Sequence, residues 1–308
     1  MEKTLRQGFE NEFRLPEIGR KVLDYIDGRR LETGGFCYFK SWGSQAPSTL
    51  DTHAALLALS LLDNPEQKKW RSDEKTRRWL RERLLLELSF EDIVGVWHLC
   101  ASLRLMGDRL SEEDRLLIFA FLKRTTRHFL HEQKANNEKK CVCSGSLSSL
   151  IAWNRLGDLS GWTGERPSPG VFFHDSEKTL IELFYRWEMN ISGWYPGQMV
   201  PSCNRSLFEN RLAGYVLVPG STATDMAVIA CGVLHDVKTG AGVSFSGSVL
   251  EWVQDSLSVS GGFGRIPGAV PDLLSTAQAL LILDLLPEGG GCSEKLFPGN
   301  LWWSLQEY

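Results

Sequence analysis

Residues 260–283 read Ser-Gly-Gly-Phe-Gly-Arg-Ile-Pro-Gly-Ala-Val-Pro-Asp-Leu-Leu-Ser-Thr-Ala-Gln-Ala-Leu-Leu-Ile-Leu, and the order of the parts decides the fold. A Gly-Gly-aromatic loop comes first, then two prolines, then a stretch that is apolar on nearly every side. The N-terminal region has the same order: Gly34-Gly35-Phe36, then Pro47, then Ser48-Thr49-Leu50-Asp51-Thr52-His53-Ala54-Ala55-Leu56-Leu57-Ala58-Leu59. Thr52, Ala55, Leu56 and Leu59 keep the spacing of Thr276, Ala279, Leu280 and Leu283, and Thr224, Ala227, Val228 and Cys231 give it a third time. Steps of three and four residues mark one stripe of an α-helix. The chain reads as a repeat.

Each part of the unit has a physical reason. The glycines let the loop take positive φ and pass close to a neighbour, the aromatic ring fills the space beneath, and Pro267 and Pro271 fix the turn before the helix. Thr at the helix opening is a candidate cap, with Asp51 and Ser275 as alternatives. A helix apolar all round, such as 50–62 or 273–286, has to be covered all round, and so is an inner helix.

In chain order, 15–27 reads as an amphipathic outer helix with Pro16 in its first turn and Gly28 after it. Segment 65–88 is an outer helix, its Lys, Arg and Glu opposite Trp70, Trp79, Leu80, Leu84 and Leu88. Residues 91–106 form a second inner helix closed by Gly107. An outer helix from Ser111 to about His131 opens on a Ser-x-x-Asp capping spacing. Residues 147–156 form a third inner helix and 175–189 the outer helix after it. Gly161-Trp162 and Gly193-Trp194-Tyr195 are weaker copies of the loop. Residues 195–220 read as a long loop, a candidate lid, with a short helix at 206–212. Helices at 223–234 (inner), 247–257 (outer) and 273–286 (inner) complete five inner helices, and Trp302-Trp303 in the tail is expected to pack back on the N-terminal region. Helix pairs at a period of roughly fifty residues, without strand-rich regions, predict an all-α toroid, an α/α barrel of repeated helix pairs with a funnel along its axis.

Hydrophobic residues make up 43% of the 308 and charged residues 23%, ordinary for a globular chain, and the repeat favours one domain over 1–308. A formal charge of −4 and a pI near 5.9 argue against a nucleic-acid partner. The start Met1-Glu2-Lys3-Thr4-Leu5-Arg6-Gln7 lacks the apolar core of a signal peptide, and no apolar run approaches the ~20 residues of a membrane helix, so a cytoplasmic protein without a transmembrane segment is expected. The oligomeric state is not legible. Seven cysteines, with Cys100 and Cys231 inside helical patterns, suggest no disulfide framework, and Cys141-x-Cys143 lacks the second pair or nearby His of a zinc site.

The Gly-Gly-Phe…Pro…Asp-Leu-x-Ser-Thr-x-x-Ala-Leu-x-x-Leu unit resembles the repeat shared by protein prenyltransferase β subunits, squalene-hopene and oxidosqualene cyclases, and class II diterpene cyclases. The resemblance is close at 261–283 and 34–59, loose at 193–234 and thin at 97–186. It implies an α/α barrel whose cavity holds an apolar isoprenoid or polyene-type chain, with catalytic groups where the inner helices open. The prenyltransferase zinc set does not carry over: Ser275 precedes Thr276 where the family has His, and Ala223 and Asp225 stand for its Asp and Cys. Asp51, His53 and Asp225 would be a different, Cys-free set. Thr222-Ala223-Thr224-Asp225-Met226-Ala227 resembles the cyclase motif Asp-x-Asp-Asp-Thr-Ala, with Thr224 at its proton-donating middle Asp and Asp225 as the remaining acid.

These features nominate Asp225, Asp51 and His53 as catalytic residues for cyclisation or isomerisation by proton transfer. An acid strong enough for an alkene has to be kept protonated by burial or a neighbouring charge. Trp97, His98, Trp153, Trp194, Tyr195 and Thr224 are the candidate substrate contacts, the aromatic faces being suited to a carbocation. Each has a structural alternative: Asp225 a first-turn carboxylate at the helix dipole, Asp51 an N-cap, His53 and His98 core imidazoles, the aromatics seam fillers. No Asp-Asp-x-x-Asp cluster for magnesium and diphosphate is present, and no cofactor is expected, with zinc or magnesium as the alternative; a third reading, a prenyltransferase β-like subunit, would need zinc and a partner. A non-catalytic isoprenoid- or protein-binding barrel is the alternative to an enzyme.

Overall fold

The structure, a computed structural model, describes residues 15–38, 46–62, 67–90, 92–137, 144–164, 166–167, 179–191, 205–243 and 245–286. It is all-α apart from one short hairpin. The helices are α1 (Leu15–Gly28), α2 (Thr49–Leu61), α3 (Gln67–Arg71), α4 (Glu74–Phe90), α5 (Ile93–Leu105), α6 (Glu112–Asn137), α7 (Ser144–Ser160), α8 (Leu180–Ile191), α9 (Met226–Thr239), α10 (Ser246–Asp255) and α11 (Leu273–Leu285). A 3-10 turn, Arg205–Phe208, leads into antiparallel β1 (Glu209–Asn210) and β2 (Gly214–Tyr215). No described helix is long and apolar enough to cross a membrane.

The close repeats fold alike, bond for bond. In the first, Phe36 N donates to Thr52 Oγ1 at 3.0 Å while Thr52 Oγ1 donates to the Ser48 carbonyl at 2.7 Å. In the last, Phe263 N donates to Thr276 Oγ1 at 3.0 Å while Thr276 Oγ1 donates to the Asp272 carbonyl at 2.6 Å. Thr is therefore not the cap. Its hydroxyl clamps the aromatic loop to the helix, and the caps lie four residues earlier, where Ser48 accepts from Asp51 N and Asp272 from Ser275 N. Gly34 and Gly261 take φ of +102° and +96°, and each lies against the backbone of a covering helix, α4 at Lys75 and Thr76, α1 at Lys21.

The third copy has a different register. Asp225, extended at φ −154° and ψ 177°, is the N-cap of α9 and accepts from Val228 N, so the helix begins at Met226 and leaves Thr224 outside. Aligned by caps, Asp225 corresponds to Ser48 and Asp272, and Ile229 occupies the position of Thr52 and Thr276. The expected start at 223 is corrected accordingly: a side-chain cap fixes the first turn more strongly than the apolar spacing that Thr224 shares.

Six helices, α2, α5, α7, α8, α9 and α11, have nearly all their described side chains buried, and contacts run α2 to α5, α5 to α7, α7 to α8, α8 to α9, α9 to α11, and α11 back to α2. The starts of α8 and α9 are stitched by Leu217, which accepts from Leu180 N and donates to the Ala223 carbonyl. Glu188 near the end of α8 meets Arg155 and Lys238 near the ends of α7 and α9, so these three helices run parallel. The expected outer helix at 175–189 is thus corrected to a buried one, Leu180–Ile191. Its charged residues Arg186 and Glu188 are both buried.

The covering helices are amphipathic, as expected. α1 buries Ile18, Val22, Tyr25 and Ile26, while α4 buries Leu80, Leu84 and Leu88. The expected single helix over 65–88 breaks at Ser72-Asp73, where Asp73 accepts from Thr76 N at 3.1 Å and starts α4 afresh. Ser111 and Asp114 form the reciprocal capping pair, Asp114 N to Ser111 Oγ at 3.0 Å and Ser111 N to Asp114 Oδ2 at 2.9 Å. The expected short helix at 206–212 is instead the 3-10 turn and hairpin, which lie against α9 and α10 with Phe208 and Tyr215 buried. Of the candidate lid 195–220, residues 195–204 lie outside the described residues, as do Gly193, Cys141, Cys143, Glu91, Trp302 and Trp303. Cys37, Cys100 and Cys231 are buried thiols outside any disulfide.

Candidate functional site

The opening turns of α2, α9 and α11 each carry an acid, because an N-terminus with unsatisfied N–H groups favours one. Asp51 and Asp272 are 8% and 6% exposed. Ser48 Oγ donates to Asp51 Oδ2 at 2.5 Å, and Ser275 Oγ donates to Asp272 Oδ2 at 2.7 Å, so both carboxyls carry a serine hydroxyl three residues away, with the cap and the third helical position exchanged between serine and acid. Burial pushes the Asp51 carboxyl above the usual carboxylate range; the Ser48 hydroxyl opposes this and the charge of Asp272 adds to it. Burial also raises Asp272, against hydrogen bonds from Ser275 and Leu274 and the charge of Arg265. Tyr25 of α1 joins the group, donating to the Pro271 carbonyl at 2.8 Å, with its phenol raised by burial. Two buried acids that repel each other's charge favour the protonated form of at least one.

Asp225 is placed differently. Its Oδ1 accepts from Val228 N at 2.9 Å, and its Oδ2 accepts from Arg265 Nε at 2.9 Å and Nη2 at 2.6 Å. Both oxygens act as acceptors, which suits a cap and a tie to the loop before α11. That tie is doubled in the backbone, where Met226 N donates to the Arg265 carbonyl at 2.9 Å.

His53 is fully buried and faces α5, its Nδ1 3.0 Å from Ser102 Oγ and its ring stacked on His98 at 5.1 Å between centroids. Burial, with the neighbouring His98, holds the His53 imidazole well below its ordinary pKa, so it is neutral. Trp97 and His98 are each 2% exposed. Trp153 points its Nε1 at the Leu122 carbonyl of α6, 3.4 Å away, and packs edge-on against Trp162; it fills the seam between a buried and a covering helix. Thr224 is half-buried beside Asp225. Trp194 and Tyr195 lie outside the described residues. The structure thus brings Asp51 near Asp272, pairs His53 with His98, and sets Asp225 apart on Arg265.

Sequence reasoning did not single out Asp272, Tyr25 or Arg265. The Asp272 signal was available: it precedes Thr276 by the same four residues that separate Ser48 from Thr52. It also missed Arg155, Glu188 and Lys238, which meet toward the other ends of α7, α8 and α9 as a buried charged network. Among the described residues, no group of three or more His, Cys, Asp and Glu is placed to hold a metal ion.

The raised carboxyls have a consequence for stability. An acid whose folded pKa lies above its unfolded one takes up a proton on folding. Its stabilisation is complete below the ordinary carboxyl range, about pH 4, and is lost as pH rises through the raised value. Asp272→Asn keeps an N-cap side chain and removes the titration. The denaturation midpoint of the wild type is expected to fall more between pH 4 and pH 8 than that of Asp272→Asn; identical slopes would place the Asp272 carboxyl in water.

No family model, curated protein or solved structure matches the chain.

Proposed function

We propose that the chain is a terpene-cyclase-like enzyme that binds an apolar isoprenoid or polyene-type chain inside an α/α toroid and cyclises or isomerises it by proton transfer. Asp51, backed by Asp272, is the proton donor. The observation that carries this reading is the pair of buried, pKa-raised carboxyls at the adjoining openings of α2 and α11, the two helices of the closest repeats. A general acid for an alkene has to hold its proton near neutral pH, and burial with a like charge nearby does that. The circuit of contacts through six buried helices supports the toroid. Neutral His53 supplies a proton acceptor on the same helix as the acid, and His98, stacked on it, with Trp97 next in the chain, supplies aromatic surface for a cationic intermediate. Asp225 acts by holding Arg265 near Asp272 rather than by giving up a proton.

The test is incubation of the purified protein with linear isoprenoid alcohols, epoxides and prenylated aromatics, followed by mass spectrometry for isobaric products of altered retention. Asp51→Asn is expected to reduce turnover by about 10²-fold or more with its far-UV spectrum unchanged, and full activity in that variant would remove Asp51 from the mechanism. A second reading, a non-catalytic isoprenoid-binding barrel, is favoured by the engagement of Asp225, the surviving acid of the cyclase-like motif, in a cap and an ion pair. Tight binding of one of these compounds with no product after long incubation would select it.

A further inference from the structure

The far ends of α7, α8 and α9 converge on charges that the proton-transfer reading does not use. Glu188 is fully buried; its Oε1 pairs with Arg155 and its Oε2 stands 3.5 Å from Lys238 Nζ. Two cations therefore share one carboxylate in a site largely closed to water, and the Lys238 side chain keeps only 20% of its exposure. Nζ also lies 5.8 Å from the Trp187 ring centroid, and Trp187 packs against Phe184 at 5.8 Å and His235 at 5.2 Å, which makes an aromatic wall beside the amine. The other charged groups are turned to partners of their own: Asp236 accepts from the Tyr215 hydroxyl and lies 3.4 Å from His235 Nδ1, and Asp158 pairs with Arg166. Arg186 of α8 is buried in the same region of the chain.

We infer that Lys238 is a nucleophilic amine that condenses with an aldehyde or ketone whose apolar or aromatic body rests on Trp187. Burial, with the positive charge of Arg155 beside it, pushes the Lys238 ammonium down to about 8, so an appreciable share of the amine is free at neutral pH. Nucleophilic lysines are activated in this way, by desolvation and a cationic neighbour. Free Nζ forms a bond to the carbonyl carbon as the carbon–oxygen π pair moves onto oxygen, giving a carbinolamine. The two Nζ hydrogens then leave with that oxygen as water, Glu188 carrying protons between the atoms, and an imine remains. No oxidant or reductant is consumed. The site lies at the opposite end of the buried helices from Asp51, so it stands or falls independently of the proton-transfer reading.

The experiment treats the full chain with benzaldehyde and sodium cyanoborohydride, which traps an imine as a stable benzyl adduct, and locates adducts by peptide mass spectrometry. At pH 7.5 an amine titrating near 8 has on the order of 10² times more free base than an ordinary lysine, an advantage partly offset by its weaker basicity. Lys238 is therefore expected to be labelled at least about tenfold faster than the exposed Lys21, Lys75 and Lys123, with a half-maximal rate near pH 8. Lys238→Arg keeps the cation beside Glu188 and is expected to lose the fast adduct. Labelling of Lys238 no faster than the exposed lysines would overturn the assignment, as would a fast adduct that persists in Lys238→Arg.

Discussion

Glu188→Ala is expected to destabilise the fold by about 3–5 kcal/mol, the range for breaking a buried ion pair from one side. Glu188 has no exposure and Arg155 is 3% exposed, so the guanidinium cannot turn to water when its carboxylate is removed. Burial already lowers Arg155 to about 10, against the opposing charge of Asp158, and the same desolvation sets the cost of leaving it unpaired. Removal of Glu188 also leaves Lys238 facing Arg155 with no carboxylate between them. The comparison that isolates the charge is the double variant Arg155→Met with Glu188→Leu, which removes both ions and fills the space. It is expected to cost clearly less than Glu188→Ala alone. Urea denaturation of the three proteins measures this, and a Glu188→Ala cost under ~1 kcal/mol would mean that the pair is open to water.

Gly261→Ala is expected to cost about 3 kcal/mol, of which ~1–2 is the left-handed backbone and ~1–3 the overlap of a new Cβ with a packed neighbour. At φ +96° a Cβ would collide with the Lys21 carbonyl oxygen and carbon and with its Cβ, and backbone in the middle of α1 has nowhere to move. Gly240 is the control. It has φ +70° and open space for 4 Å around where a Cβ would sit, so Gly240→Ala carries the conformational cost alone. A thermal-melt series in which Gly261→Ala loses no more than Gly240→Ala would show that the loop does not press on α1.

The first and last repeats were legible because three demands coincide in them. Positive φ, a buried aromatic and a hydroxyl clamp each restrict residue choice, and Gly-Gly-Phe with Thr is the joint solution. The third copy kept the apolar spacing without the clamp, so spacing placed Thr224 at the helix opening, whereas the cap at Asp225 sets the start at Met226. α8 was misread for a related reason. Ionisable residues such as Arg186 and Glu188 fit a covering helix, and no local pattern says that Arg155, more than thirty residues earlier, neutralises Glu188 inside the protein. At the candidate site Asp51 and Asp225 were visible and Asp272 was not. What the sequence did not carry is which acid has donors on both oxygens, as Asp225 has, and which is left buried beside another acid, as Asp51 is.

The central claim, proton transfer from a buried acid to an apolar chain, is tested most directly by running the isoprenoid incubations in deuterium oxide and reading the mass of the product. Protonation by the enzyme predicts a rearranged product, isobaric with substrate in ordinary water, that carries one deuterium at carbon for each protonation in deuterium oxide, and a loss of both product and label in Asp51→Asn. A rearranged product without deuterium at carbon, or one formed equally by Asp51→Asn, would contradict the claim.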